Sequence, residues 1–196
     1  MLTMSKDSSS LVNIVGIDPG SNTLGLSMLT VDITKWEIIS SDAVTFTGTK
    51  LENSDSWRSD LFSERVGRIA AHEENLLKVF NTYKPFIICT ESPFINNRFP
   101  QAGIALTEVM CGIRSAVMKY DVWADLYLID PPTVKKAVGA PGNADKVVMK
   151  EKILSLTELN YIGNVPMEML DEHSIDALAV AYCKFIRLKL CYKLDS

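Results

Sequence analysis

Apolar positions follow two rhythms along this chain, and the changes from one to the other mark out its elements. Val12 to Ile17 is a short apolar run that stops at Asp18-Pro19-Gly20, and Leu24 to Val31 opens another beyond it. Pro-Gly punctuation between two such runs reverses the chain, so the pair reads as a hairpin. From Trp36 to Phe46, β-branched and aromatic residues recur at strand-like spacing and predict a third strand. Gly48 to Ser56 is polar and expected as loop. Between Trp57 and Tyr83 the positions Leu61, Phe62, Val66, Ile69, Leu76, Leu77 and Phe80 return at helical spacing with charges between them.

Pro85 ends that helix, and Phe86 to Cys89 is an unbroken apolar run of the kind buried on both sides within a sheet. It stops at Thr90-Glu91. A polar loop from Ser92 to Pro100 leads to a second helix over Gln101 to Tyr120, a fifth strand over Val122 to Ile129 ends before Pro131-Pro132, and a last helix spans Leu170 to Leu190. The order β-β-β-α-β-α-β-α predicts an α/β chain: a mixed five-stranded sheet with helices on both faces.

Composition narrows the class. A chain of 196 residues that is 47% hydrophobic is long enough for one sizeable core and too short for two large lobes, so one domain is expected over 1–196, with residues 1–11 a flexible N-terminus. Cys89, Cys111, Cys183 and Cys191 form no CxxC pair, which suits a reducing compartment. No segment has the apolar length of a membrane span, and the polar opening residues lack the apolar centre of a signal peptide. A soluble, cytoplasmic protein is expected. The formal charge of −4 argues against an indiscriminate nucleic-acid binder, but acids gathered in one site would leave room for a local basic strip.

The acids do gather at places where chemistry is usually sited. Asp18 closes the first strand, Glu91 closes the fourth, and Asp176 lies near the start of the final helix. Carboxylates directly after neighbouring apolar strands project from the same rim and can reach one ion. His173 and Asp176 stand three apart, which on a helix places both on one face. Three carboxylates and an imidazole suit two-metal phosphodiester hydrolysis, with ions about 3.5–4 Å apart. Oxygen-rich ligation points to Mg²⁺ or Mn²⁺, and the histidine favours Mn²⁺ more than carboxylates alone would. Each residue also has a plainer reading: Asp18-Pro19-Gly20 as a turn, Glu91 as a loop carboxylate, His173 as a surface histidine, and Asp171-Glu172 as negative charge near a helix N-terminus. The conjunction favours a site.

The same residues carry a family likeness. Gly16-Ile17-Asp18-Pro19-Gly20-Ser21 with Gly25 resembles the first motif of the RuvC Holliday-junction resolvases, and Glu91-Ser92-Pro93-Phe94 the second. Pro132-Thr133-Val134-Lys135-Lys136-Ala137-Val138, followed by Gly142-Asn143-Ala144-Asp145-Lys146, is similar to the family's basic segment, and His173-Ser174-Ile175-Asp176-Ala177-Leu178-Ala179 to its closing motif. The matches keep the family's order. The resemblance implies a ribonuclease H-like fold and a homodimeric, divalent-metal endodeoxyribonuclease that nicks four-way junctions symmetrically, leaving 5′-phosphate and 3′-hydroxyl ends. Asp18, Glu91, His173 and Asp176 would then be both the catalytic and the metal-binding residues, with two Mg²⁺ or Mn²⁺ ions. The connection from Gly48 to Ser56 and the overall acidity depart from compact relatives.

DNA contacts are expected from Phe94, which could stack on an unpaired base or fold back onto the core, and from the basic residues Arg98, Lys135, Lys136, Lys146 and Lys150. Lys152 extends the same stretch. Paired nicks call for two sites related by a two-fold axis, which an isologous dimer supplies. The helix bearing Ile104, Leu106, Val109, Met110, Ile113 and Val117 suits either that interface or the core. Three other readings compete: a nucleotide-binding domain of the actin and sugar-kinase type, a non-catalytic junction-binding protein, and a nuclease for flaps, other branched DNA or RNA-containing duplexes.

Overall fold

The structure, a computed structural model, describes residues 10–48, 61–93 and 100–195. Strands β1 (Leu11–Asp18), β2 (Thr23–Asp32) and β3 (Glu37–Thr47) form an antiparallel meander. On the other side of β1, β4 (Ile87–Glu91) joins in parallel, and β5 (Leu126–Ile129) extends the sheet in parallel to give the order β3-β2-β1-β4-β5. Helices α1 (Glu64–Tyr83) and α2 (Pro100–Tyr120) cover one face; α3 (Pro131–Ala137), α4 (Lys146–Ser155) and α5 (Glu172–Asp195) cover the other. This is the mixed five-stranded sheet the sequence predicts. Among the described residues, no helix is long and apolar enough to cross a membrane.

The unbroken apolar runs follow from burial on both faces. In β1, Ile14 packs on the α5 side while Val15 and Ile17 pack against α1 and α2; in β4, Ile87 and Cys89 face α5 while Ile88 faces the other helices. Strand alternation then decides where the acids point. Asp18 shares the parity of Ile14, and Glu91 that of Ile87 and Cys89, so both are aimed at the α5 side. The register pairs Gly16 with Cys89 and Ile17 with Thr90, which sets Asp18 and Glu91 side by side at the strand ends.

Two glycines let α5 lie directly on the sheet. A Cβ on Gly16 would stand 2.5 Å from the Ala177 carbonyl oxygen, and one on Gly25 would stand 2.1 Å from the His173 carbonyl oxygen. Real side chains do not tolerate such contacts, so backbone meets backbone here. Ser27 strengthens the seam by donating from Oγ to the Ala177 carbonyl at 2.7 Å.

Several boundaries differ from expectation for identifiable reasons. Helices α3 and α4 have no counterpart in the predicted order. Pro131-Pro132, which reads as a stop, sits in the first turn of α3, where proline's missing N–H costs nothing, and Asp130 caps it by accepting from Thr133 N–H at 3.0 Å. Asp145 caps α4 in the same way, accepting from Val148 N–H at 2.9 Å. Strand β5 starts only at Leu126, because Asp121 folds the preceding residues into a turn through Trp123 N–H. Helix α1 begins at Glu64 behind the cap Ser63, and residues 49–60 of the predicted loop and helix start lie outside the described residues. Strand pairing reaches back to Leu11, opposite Asp32. In α2, Val109, Met110, Ile113 and Val117 are buried with Leu76 and Phe80, so these residues belong to the core; Ile104 is exposed and Leu106 half-buried.

Candidate active site

β1 and β4 deliver Asp18 and Glu91 to one edge of the sheet, and the first turns of α5 bring His173 and Asp176 above them. That helix start is tied down. The Asp171 carboxylate accepts from Ser174 N–H at 2.8 Å and from Thr45 Oγ at 2.7 Å, and Thr45 and Ser174 share a hydroxyl contact at 2.9 Å. Burial works against the charge on Asp171, but these hydrogen bonds hold its carboxyl below the usual range. The acidic pair Asp171-Glu172 therefore includes a helix cap as well as favourable end charge.

Of the four candidate residues, His173 contacts Asp18, Asp176 contacts Lys146, and Glu91 lies within electrostatic reach of both aspartates. His173 Nδ1 lies 2.8 Å from Asp18 Oδ2, and Nε2 lies 2.7 Å from Thr23 Oγ. The Asp18 contact raises the His173 pKa in spite of partial burial. Lys146 Nζ donates to Asp176 Oδ2. Burial, only partly offset by Lys146, raises the Asp176 carboxyl, while Lys146, itself disfavoured by burial, is held above its usual value by Asp176. Glu91 is pushed up to about 7 by burial and then by the charges of Asp18 and Asp176, against the opposing pull of Lys146 and Lys135.

Among the described residues, no group of three or more His, Cys, Asp or Glu side chains converges tightly enough to cage a metal ion. The donor set nevertheless suits a divalent cation. Three carboxylates and one imidazole share an edge, where burial first and then the charges of Asp18 and Asp176 push the Glu91 carboxyl up, and a cation would favour its charged form.

Basic residues flank this edge. Lys135 and Lys146 line a cavity of about 310 Å³ together with Glu91 and Asp176, and Lys135 donates to the Ala144 carbonyl at 2.7 Å. Lys150 lines the adjoining hollow with Asp171 and Asp176 and donates to the Leu170 carbonyl at 2.8 Å. Lys136 is exposed, with its stem beside Gly142. Phe94 and Arg98 lie outside the described residues. Sequence reasoning missed Thr23, whose only outward signal is a position at the start of the strand facing Asp18. It also missed His72, buried in α1, whose Nε2 is 3.2 Å from the Ser21 carbonyl in the turn after Asp18.

An open mixed sheet whose two central parallel strands end in carboxylates, capped by a helix that brings a third, defines a ribonuclease H-like protein with an acidic site. A family model described as crossover junction endodeoxyribonuclease RuvC matches residues 14–184, and the chain belongs to that family. The chain is 29% identical over 182 residues to a crossover junction endodeoxyribonuclease RuvC of Rickettsia akari (strain Hartford), covering 90% of this chain and 99% of that one. The fold is similar to that of Thermus thermophilus RuvC, with a TM-score of 0.63 at 23% identity over 91% of this chain and 96% of the other. A structure of the Thermus protein in complex with Holliday junction substrate matches with the same TM-score, 0.63, at 20% identity over 91% of this chain and 96% of that one.

Proposed function

We propose that this chain is a structure-specific endodeoxyribonuclease that resolves four-way DNA junctions by paired symmetric nicks, acting as a homodimer with divalent metal. The observation that carries the reading is the meeting of Asp18, Glu91 and the start of α5 at one edge of the sheet, with Glu91 crowded by two other carboxylates. Family membership and the curated RuvC relatives support it. Asp18, Glu91, His173 and Asp176 would hold two Mg²⁺ or Mn²⁺ ions. When bound, such ions supply Lewis acidity toward the phosphate and stabilise charge on the leaving oxygen.

The chain's own residues have definable tasks. Thr23 and Asp18 contact the two ring nitrogens of His173 and so fix its plane, and one of these contacts would open for the ring to ligate metal. The Asp171 cap and Thr45 fix the helix turn from which His173 and Asp176 project. Lys135 and Lys146, at the cavity beside Glu91, and Lys136 and Lys150 at its margins would seat the DNA backbone. Arg98 would add a phosphate contact and Phe94 would stack on an unpaired base. Attack of water oxygen on phosphorus breaks the bond to the 3′ oxygen, leaving a 5′-phosphate and a 3′-hydroxyl.

The test is cleavage of matched labelled substrates (four-way junction, three-way junction, flap, duplex and RNA–DNA hybrid) in Mg²⁺, Mn²⁺ or EDTA, beside Asp18→Asn. Symmetric nicking mainly of the four-way junction, lost in EDTA and in the variant while junction affinity persists, is the expected result. Preference for another structure would overturn the substrate assignment, and equal cleavage by wild type and variant would remove Asp18 from the mechanism.

A further inference from the structure

Two carboxylates of the site already have cationic or proton-donating partners within the chain, and the partners differ in kind. Asp18 faces His173 Nδ1 at 2.8 Å, whereas Asp176 accepts from the Lys146 ammonium. A neutral imidazole has a lone pair, so His173 can serve as a metal ligand once its contact to Asp18 or Thr23 opens. An ammonium has three donors and no acceptor, and its charge repels a divalent ion. His173 can become one of the ligands; Lys146 can only compete, its ammonium holding Asp176 Oδ2 and opposing a divalent charge on the same carboxylate.

The placement of Lys146 suits release. It is the first residue of α4, whose backbone start is held by the Asp145 cap on Val148 N–H at 2.9 Å. Its side chain is 57% exposed while that of Asp176 is only 14% exposed, so the head group can swing outward without disturbing the helix. Asp18, Glu91 and Glu172 also lie within electrostatic reach of the ammonium. The contact sets a cation against a carboxylate that is mostly withdrawn from water, the arrangement expected of a counter-ion.

We infer that Lys146 is a resident counter-ion of the acidic site, one that competes with a divalent metal for the Asp176 carboxylate. The inference rests on the metal-nuclease reading above and adds a competition: the ammonium offsets part of the negative charge beforehand, and a metal that took Asp176 would leave it at the rim of the cavity where DNA phosphates would lie. Because competition opposes loading, removing the ammonium strengthens metal binding even though it removes a candidate DNA contact.

The test is titration of Mn²⁺ into the DNA-free full chain, followed by calorimetry and by the electron paramagnetic resonance signal of free Mn²⁺, for wild type, Lys146→Met and Lys146→Arg. Lys146→Met is expected to bind roughly tenfold more tightly than wild type, within the usual range of coupling between two sites. Lys146→Arg, which keeps the charge, should stay near the wild-type affinity. Equal or weaker binding by Lys146→Met, or equal tightening by both variants, overturns the counter-ion role and leaves the metal site standing. Absence of Mn²⁺ binding by all three chains, with circular dichroism showing them folded, overturns the metal-site reading and this inference with it.

Discussion

Both ring nitrogens of His173 are engaged, Nδ1 toward Asp18 and Nε2 toward Thr23, so the ring cannot turn without breaking a contact. Thr23→Val keeps the side-chain volume and deletes the hydroxyl. Cleavage by that variant should fall about 10–100-fold, as for other residues that orient a ligand, with Thr23→Ser restoring most of it and thermal unfolding nearly unchanged. Burial and the neighbouring Arg68 hold the His72 pKa below 6.5 despite its bond to Ser21. Its unfolded form therefore takes up a proton that the folded form resists. Stability is fully present above about pH 6.5 and declines as the pH falls through the folded value; urea unfolding at pH 7.5 and 5.5 should show a smaller difference for His72→Gln than for wild type. Asp18 and Glu91 were legible in the sequence because each closes an apolar run. Thr23 and His72 were not, since their importance comes from partners 150 and 51 residues away along the chain.

Helix α5 carries two candidate residues in its first turns, and its start depends on Asp171 and Thr45 rather than on its apolar stripe. Asp171→Ala should cost about 1 kcal/mol of stability, the usual loss of a cap, and should reduce cleavage further than that loss explains because His173 and Asp176 sit within the freed turn. Denaturant titration beside a rate measurement separates the two effects. For α2, helical spacing alone left core and dimer surface open, and burial decides for the core at Ile113. Ile113→Ala should lower unfolding free energy by about 2–5 kcal/mol at every protein concentration. Helices α3 and α4 escaped the sequence reading for a physical reason: each is short and begins with an Asp cap, but neither has the long apolar periodicity by which α1 is recognised. The apolar runs of β1 and β4 placed both acids at one rim of the sheet, but runs buried on both faces carry no alternation from which the face of the acids could be read.

At the scale of the molecule, an acidic chain sets three lysines beside its acidic edge. Lys135, Lys146 and Lys150 border the acidic edge, which reconciles a formal charge of −4 with a DNA substrate. Exposed Lys136 tests the breadth of this strip: Lys136→Ala should reduce the salt dependence of junction binding by about one unit of slope, measured by titrating affinity against salt concentration. The direct seating of α5 on Gly16 and Gly25 bears on how such a protein diverges. A substitution in a side-chain layer changes the thickness of that layer, but no such layer separates His173 from β2 or Ala177 from β1. The gap between the strands and the helix that bear the candidate residues is thus gauged by main chain, and the rest of the interior can drift in sequence over generations without resetting it.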